Sequence, residues 1–270
     1  MPTNSTNNLN IILYTEMNES HRIIGTKKDI DTDAVREFYE KRARQFNQSG
    51  KSEKASRYAT MSLTEEIAEK KDIMEKGVIL PLLGIQKTDS VLDIGCGVGR
   101  WAETMVPLCR RYVGADFSSE MIKCCQELFK AQELEGKDVR FVNTSVQELP
   151  KSEYVKGQAF DIVLIVGTAI YINDNDLERL FENVVSFLAK GGRLYLRETI
   201  GRGKRLTLDG IWSQALDSDY SAVYRTREEY LELLRPLLAV CDIVDEQIVS
   251  AFDDPSKPET TRWYAVLRKR

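Results

Sequence analysis

From Gly84 onward, short apolar runs rich in Val, Ile and Leu alternate with longer stretches whose apolar residues recur every three or four positions. Strands joined through helices run parallel, and a parallel sheet must be covered on both faces. The runs are 91–94, 112–115, 140–143, 161–166 and 193–196. The intervening helical stripes are Trp101, Met105, Leu108 and Cys109; Met121, Ile122, Cys125, Leu128 and Phe129; and Leu177, Leu180, Phe181, Val184, Val185 and Leu188. Lys190-Gly191-Gly192 reads as the stop of the last of these helices. Thr226-x-x-Glu229 has the spacing of a capping box. Runs 243–249 and 262–267 then form a strand pair around a turn with Pro255 and Pro258. In such a sheet a ligand binds beyond the C-terminal strand ends, where the strand order reverses, which here is near the exit of the first strand.

The N-terminal third has a different grammar. Residues 1–28 are rich in Asn, Thr and Ser and read as a flexible arm. Asp31 and Asp33 open a helix with Val35, Phe38, Tyr39, Ala43 and Phe46 on one side. Ser62-x-x-Glu65 opens a second, with Ile67, Met74 and Val78 on one side and a stop near Pro81. The organisation expected is an arm over 1–28, a helical lid over 29–84, and a ligand-binding α/β domain over 85–270 with an insertion at 200–225.

Composition removes several chemistries. The 270 residues carry a net charge of −4 and one histidine, His21, so a multi-His metal centre cannot be built and no metal site is expected. A Ser-His-Asp or Cys-His apparatus would have to rest on that one residue in a polar stretch. Five cysteines without CxxC spacing suit a reducing compartment. The longest apolar run, 162–172, is too short to span a bilayer, and the N-terminus lacks a signal-peptide pattern, so a cytoplasmic protein is expected. Mild acidity argues against coating a nucleic-acid backbone. Nothing in the sequence fixes an oligomeric state.

The informative segment is Val91-Leu92-Asp93-Ile94-Gly95-Cys96-Gly97-Val98-Gly99-Arg100. Glycines after a strand let the backbone turn tightly and approach a ligand. Arg100 stands where a dinucleotide fingerprint wants its last glycine. Asp93 puts a carboxylate where a dehydrogenase has an apolar residue, which suits a cationic, amine-bearing ligand. Asp116 ends the second strand, where a carboxylate accepts ribose hydroxyls. Phe117 offers a face to a purine, and Ser145 and Val146 lie at the end of the third strand.

With these segments the chain resembles the class I S-adenosylmethionine-dependent methyltransferases. The likeness covers about residues 85–270 through VLDIGCGVGRW, YVGADFSSEMI, VRFVNTSVQELP, FDIVLIVGTAIYI and LAKGGRLYLRE, in family order. It implies a Rossmann-like, seven-stranded, mostly parallel sheet with an antiparallel last strand, helices on both faces and an N-terminal helical lid. It implies S-adenosylmethionine as cofactor, with Asp93, Gly95, Cys96, Gly97 and Gly99 around its methionine part. Asp116 would take the ribose, Phe117 would flank the adenine, Ser145 and Val146 would meet the adenine amino edge, and Met121 and Val166 would be further cofactor contacts. The family usually has Asp where this chain has Ser145, and a hydroxyl accepts that hydrogen bond more weakly. Tyr39, in a Phe-Tyr pair, resembles a lid tyrosine closing over the cofactor. Arg57 and Arg100 are candidates for its carboxylate.

Methyl displacement from a sulfonium needs alignment and exclusion of water more than a base. The fourth strand ends Val166-Gly167-Thr168-Ala169-Ile170-Tyr171, without the Asn/Asp-Pro-Pro-aromatic or Pro-Cys motifs of base-modifying enzymes. A small-molecule acceptor attacked at O or N is therefore expected, with Tyr171 and Glu198 as candidate catalytic groups. Arg202, Lys204, Arg205 and Arg225 are a candidate cluster for an anionic acceptor. Asn173 to Asp176 reads as the cap of the following helix. Protein or RNA methylation, and a silent cofactor-binding regulator, remain alternatives. A nicotinamide dehydrogenase is disfavoured by Asp93 and Arg100.

Overall fold

A computed structural model describes residues 21–48, 65–130, 136–213, 217–254 and 257–270. The elements run β1 (Arg22–Ile24), α1 (Thr32–Gln48), α2 (Glu65–Leu83), β2 (Ser90–Ile94), α3 (Ala102–Leu108), β3 (Arg111–Asp116), α4 (Ser119–Lys130), β4 (Asp138–Asn143) and β5 (Phe160–Val166). They continue with a 3-10 turn (Ala169–Tyr171), α5 (Asp174–Phe187), β6 (Leu188–Gly201), β7 (Leu206–Ser213), β8 (Ser218–Tyr224), α6 (Arg227–Leu233), α7 (Arg235–Leu238), β9 (Cys241–Val249) and β10 (Thr260–Lys269). Among the described residues no helix is long and apolar enough to cross a membrane.

Seven strands form one sheet in the order β4-β3-β2-β5-β6-β10-β9. β2 pairs parallel with β3 and β5, and β10 slots antiparallel between β6 and β9. Alternate residues of each central strand feed opposite cores. Leu92, Ile94, Val163, Ile165, Leu194 and Leu196 pack under α5, α6 and α7. Val91, Ile162, Leu164 and Tyr195 pack with Trp101, Met105, Ile79 and Leu83 on the other face. That two-sided burial is why these strands read as continuous apolar runs.

Three sequence expectations need correction, and the 200–225 insertion takes a definite form. The last helical stripe ends at Phe187, and Lys190-Gly191-Gly192 already lies within β6. A Cβ at Gly192 would stand 2.9 Å from the carbonyl oxygens of Ala189 and Asp161, so glycine there permits close strand approach, not a helix stop. Residues 22–24 of the expected arm are a strand, paired antiparallel with Leu206–Leu208. The 200–225 insertion is the β7–β8 hairpin, which with β1 makes a separate three-stranded sheet. Helix α2 runs through Pro81 to Leu83, and its expected apolar face is outward, with Ile67, Met74 and Val78 exposed.

The inward face of α2 is instead Ala68, Asp72, Glu75, Lys76, Ile79 and Leu83, a helical stripe with a charged centre. Asp72 and Glu75 take the Arg100 guanidinium at 2.7 and 3.0 Å, and Glu75 also accepts from Arg197 at 3.2 Å and from the Tyr195 hydroxyl at 2.8 Å. Burial alone would raise Glu75, but the two arginines outweigh it and hold its carboxyl well below the usual range. Buried pairing in the middle of the helix thus joins the apolar packing of Ile79 and Leu83 in docking it. The capping box at Thr226 and Glu229 is present with both of its hydrogen bonds. The proposed box at Ser62 lies outside the described residues.

Candidate active site

A crevice of about 1230 Å³, solvent at its mouth included, opens over the C-terminal ends of β2, β3 and β5. This is where the strand order reverses, β3 and β4 lying on one side of β2 and β5 and β6 on the other. The β2–α3 loop forms its floor. Gly95, Gly97 and Gly99 all have left-handed backbone, with φ of 77°, 55° and 90°. The reasons for glycine differ. At Gly95 a Cβ would fall 2.1 Å from the Thr168 hydroxyl oxygen, whereas at Gly97 it would meet nothing within 4 Å. The loop is thus packed from behind at Gly95 and bare toward the crevice at Gly97.

Two carboxylates flank this loop. Asp93 is buried and accepts a hydrogen bond from the Tyr112 hydroxyl at 2.6 Å. Asp116 accepts the Gly97 and Ser118 backbone N–H groups, each at 2.9 Å. Burial pushes both acids up to about 6, against the lowering effect of those hydrogen bonds. A buried pair of acids held this way favours a ligand carrying positive charge and hydroxyl donors.

The lining brings together Asp93, Gly95, Cys96, Gly97, Asp116 and Phe117 of the sequence-derived set, with Met121, Ser145, Val146, Val166, Tyr39 and Tyr171. Gly99 is not in the lining; it packs under the loop against Cys125 and Phe129. Arg57 lies outside the described residues. Arg100 lines the crevice, but its guanidinium is engaged by α2, which ties the glycine loop to that helix. Thr32, Arg36 and Asn173 also line the crevice and were not foreseen. Arg36 lies over the Phe117 ring at 5.7 Å, a placement that only the docking of α1 creates.

Helix α1 reaches the crevice because Glu40 accepts the Ser119 and Glu120 backbone N–H groups, at 2.8 and 3.0 Å, at the start of α4. This sets Tyr39 between Phe117 and Tyr171, with ring centroids 6.4 and 5.1 Å away. Of the two helices expected as a lid, only α1 lies at the crevice; α2 is part of the sheet's outer layer.

Tyr171 begins a row of phenols, 3.0 Å from the Tyr220 hydroxyl, which is 3.1 Å from that of Tyr224. Burial pushes Tyr39, Tyr171, Tyr220 and Tyr224 all well above the ordinary tyrosine value. Burial thus works against a phenolate at Tyr171, whose hydroxyl already shares a hydrogen bond with Tyr220.

Glu198 is fully buried beneath the crevice wall and does not line it. One of its oxygens accepts the Thr168 and Ala169 backbone N–H groups at 3.0 and 2.8 Å. Arg225, also fully buried, donates to the carbonyls of Ala169 and Ile172 at 2.9 and 2.6 Å. These two side chains clamp the 3-10 turn that carries Tyr171 from opposite ends. Glu198 thus does not stand at the acceptor mouth, where the sequence placed it; its contacts are with the turn that carries Tyr171.

The expected anion cluster also dissolves. Arg205 and Arg225 converge on Asp174, whose carboxyl they hold far below the usual range against the opposing effect of burial. Arg202 pairs with Asp253. Asn173 does not cap α5 with its side chain; it exchanges two hydrogen bonds of 3.0 Å with the Ile30 backbone. His21 sits against Asp209 in the β1–β7 sheet, away from the crevice. Among the described residues no group of three or more His, Cys, Asp or Glu is arranged to hold a metal.

Residues 91–192 match a family model described as a methyltransferase domain. Over 148 residues the chain is 30% identical to a ubiquinone biosynthesis O-methyltransferase of Brucella anthropi, covering 54% of each protein. It is 25% identical over 129 residues to phosphoethanolamine N-methyltransferase 1 of Triticum aestivum, covering 47% of this chain and 25% of that protein. The chain thus spans about a quarter to a half of these relatives. Among solved structures, a SAM-dependent methyltransferase of Leishmania major superposes with a TM-score of 0.58 at 18% identity, covering 94% of this chain and 90% of the other, which bears on the fold.

Proposed function

We propose that this chain, whose residues 91–192 match a methyltransferase domain model within a sheet of this order, is a class I S-adenosylmethionine-dependent methyltransferase that transfers a methyl group to an O or N atom of a small molecule. The observation that carries the reading is the pair Asp93 and Asp116 on adjacent strand ends, flanking a glycine loop that is bare at Gly97. S-adenosylmethionine bound there supplies an electrophilic methyl carbon on a cationic sulfur.

The residues fit that group. Asp93 and the Gly95–Gly97 backbone would take its charged amino-acid end, and Asp116 its ribose hydroxyls. Phe117 and Met121 would bound the adenine, with Ser145 and Val146 at its edge. Tyr39 would close the crevice from α1.

The remaining chemistry is positioning. Tyr171, fixed by the Glu198–Arg225 clamp, donates or accepts one hydrogen bond at the crevice wall and orients the acceptor. The aromatic side chains of α1 and the hairpin exclude water, which sharpens alignment for displacement. An acceptor that is a neutral amine or an already acidic hydroxyl suits a crevice whose phenols burial holds above the ordinary tyrosine value. Incubation with methyl-labelled S-adenosylmethionine and separate pools of metabolites, peptides and RNA tests this. Label in the metabolite pool is expected; label confined to peptide or RNA would overturn the small-molecule reading.

A further inference from the structure

The first turn of α5 presents two acids to two different neighbours. Asp174 and Asp176 are two residues apart, which turns their side chains about 200° from one another round the helix. Asp174 is taken by Arg205 and Arg225, at 2.9 and 2.7 Å, from the two ends of the β7–β8 hairpin. Asp176 lies on the other side and lines the crevice. The turn is fixed by those arginines and by the two hydrogen bonds of Asn173 with the Ile30 backbone. Asp176 is therefore offered to the crevice from a rigid mount.

Gln147 sets where in the crevice this acid stands. Its side-chain amide donates to Asp176 Oδ2 at 2.8 Å. Gln147 follows Ser145 and Val146 after β4, and all three line the crevice together with Asp176. The carboxylate thus belongs to the wall beyond β4, the side on which Phe117 also lies, and not to the glycine-loop end. Its other oxygen, Oδ1, is 4.0 Å from the Arg179 guanidinium, beyond hydrogen-bond reach. A carboxylate has about four acceptor positions, and Gln147 uses one. Ser145 offers less, a neutral hydroxyl that already accepts the Glu148 backbone N–H at 3.4 Å. A hydrogen bond to a charged acceptor is roughly twice as strong as one between neutral groups. The strongest acceptor at this edge of the crevice therefore comes from α5 and not from the β4 loop.

We propose that Asp176 selects the adenine ring of the cofactor by accepting a hydrogen bond from its exocyclic 6-amino group, with Gln147 as the residue that positions it. The assignment rests on the methyltransferase reading, which supplies the adenine. A purine with a carbonyl at that carbon would turn an acceptor toward the carboxylate and be rejected. If Asp176 served only as a negative charge at the start of α5, its removal would change stability and leave base preference alone.

Calorimetric titration of the full chain with S-adenosylhomocysteine and with S-inosylhomocysteine, its 6-oxo analogue, tests this. The wild type should bind the 6-amino form at least about tenfold more tightly. Asp176→Asn keeps the shape, but its carboxamide can donate to a 6-oxo group, so the preference should shrink to about threefold or less. Asp176→Ala should lose the preference as well, through weaker binding of the 6-amino form. Glu178→Gln removes the same charge from an exposed position of α5 and should keep the wild-type preference. No preference in the wild type, an unchanged preference in both Asp176 variants, or an equal loss in Glu178→Gln would overturn the assignment. Absence of binding by both compounds would overturn the methyltransferase reading and the assignment with it, so the two failures are distinguishable.

Discussion

The backbone N–H of Gly97 points at the carboxylate of Asp116, 2.9 Å away, and ties the middle of the glycine loop to the end of the neighbouring strand. The acid is therefore pre-positioned at the crevice before any ligand arrives, at the cost of burial that raises it to about 6. Asp93 is raised to about 6 by the same cause. The sign of the resulting pH dependence follows. Above about 6 both acids are charged and suit an amine- and hydroxyl-bearing ligand; below it they take up protons and lose that attraction. Affinity for S-adenosylhomocysteine should be flat from pH 7 to 8 and fall by about tenfold or more near pH 5. Calorimetry across that range checks it, and a flat profile would mean that neither carboxylate contacts the ligand as a charge.

The two front glycines of the loop should fail differently. Gly95→Ala meets the Thr168 side chain as well as a left-handed backbone, so a loss of about 2–4 kcal/mol of stability is expected. Gly97→Ala has only the backbone cost, about 1–2 kcal/mol, but its methyl enters the crevice. Thermal unfolding should therefore rank Gly95→Ala as the less stable variant, while ligand titration should show a clear loss in Gly97→Ala.

Burial pushes Glu198 up to about 7, against the two N–H groups it accepts. Its folded value lies above the unfolded one, so it contributes stability at low pH that is lost as pH rises through about 7. Glu198→Gln keeps an acceptor for both N–H groups and carries no charge. That variant should show a shallower fall in melting temperature between about pH 4.5 and 7, the part due to Asp93 and Asp116 remaining, while staying folded. Glu198→Ala leaves Thr168 and Ala169 without their acceptor and should cost about 2 kcal/mol or more. Equal pH profiles for wild type and Glu198→Gln would remove the raised carboxyl, and a Glu198→Ala variant as stable as wild type would remove the clamp.

The sheet was legible because its central strands are buried on both faces, and β-branched runs such as 161–166 have few other uses. The crevice was legible for the same local reason, since strand-loop-helix geometry places Asp93, Gly97 and Asp116 by sequence distance alone. What the sequence concealed depends on partners far along the chain. Asp72, Glu75 and Lys76 belong to no apolar stripe, yet ion pairs with Arg100 and Arg197 hold this charged face of α2 inward. Arg205 and Arg225 read as a loop cluster for a ligand until the hairpin brings both onto Asp174. Glu198 sits on β6 beside the right loop, but strand alternation turns it beneath the wall. Tyr220 and Tyr224 lie in a segment without a helical stripe, and only the β7–β8 hairpin carries them to Tyr171.

The central claim, a built site for S-adenosylmethionine ordered around Asp116, is tested most directly by calorimetric titration of the full chain and its Asp116→Ala variant with S-adenosylhomocysteine at pH 7.5. The account predicts binding in the micromolar range for the wild type and at least about a tenfold loss in the variant, with both proteins folded. Equal affinity in the two would contradict it.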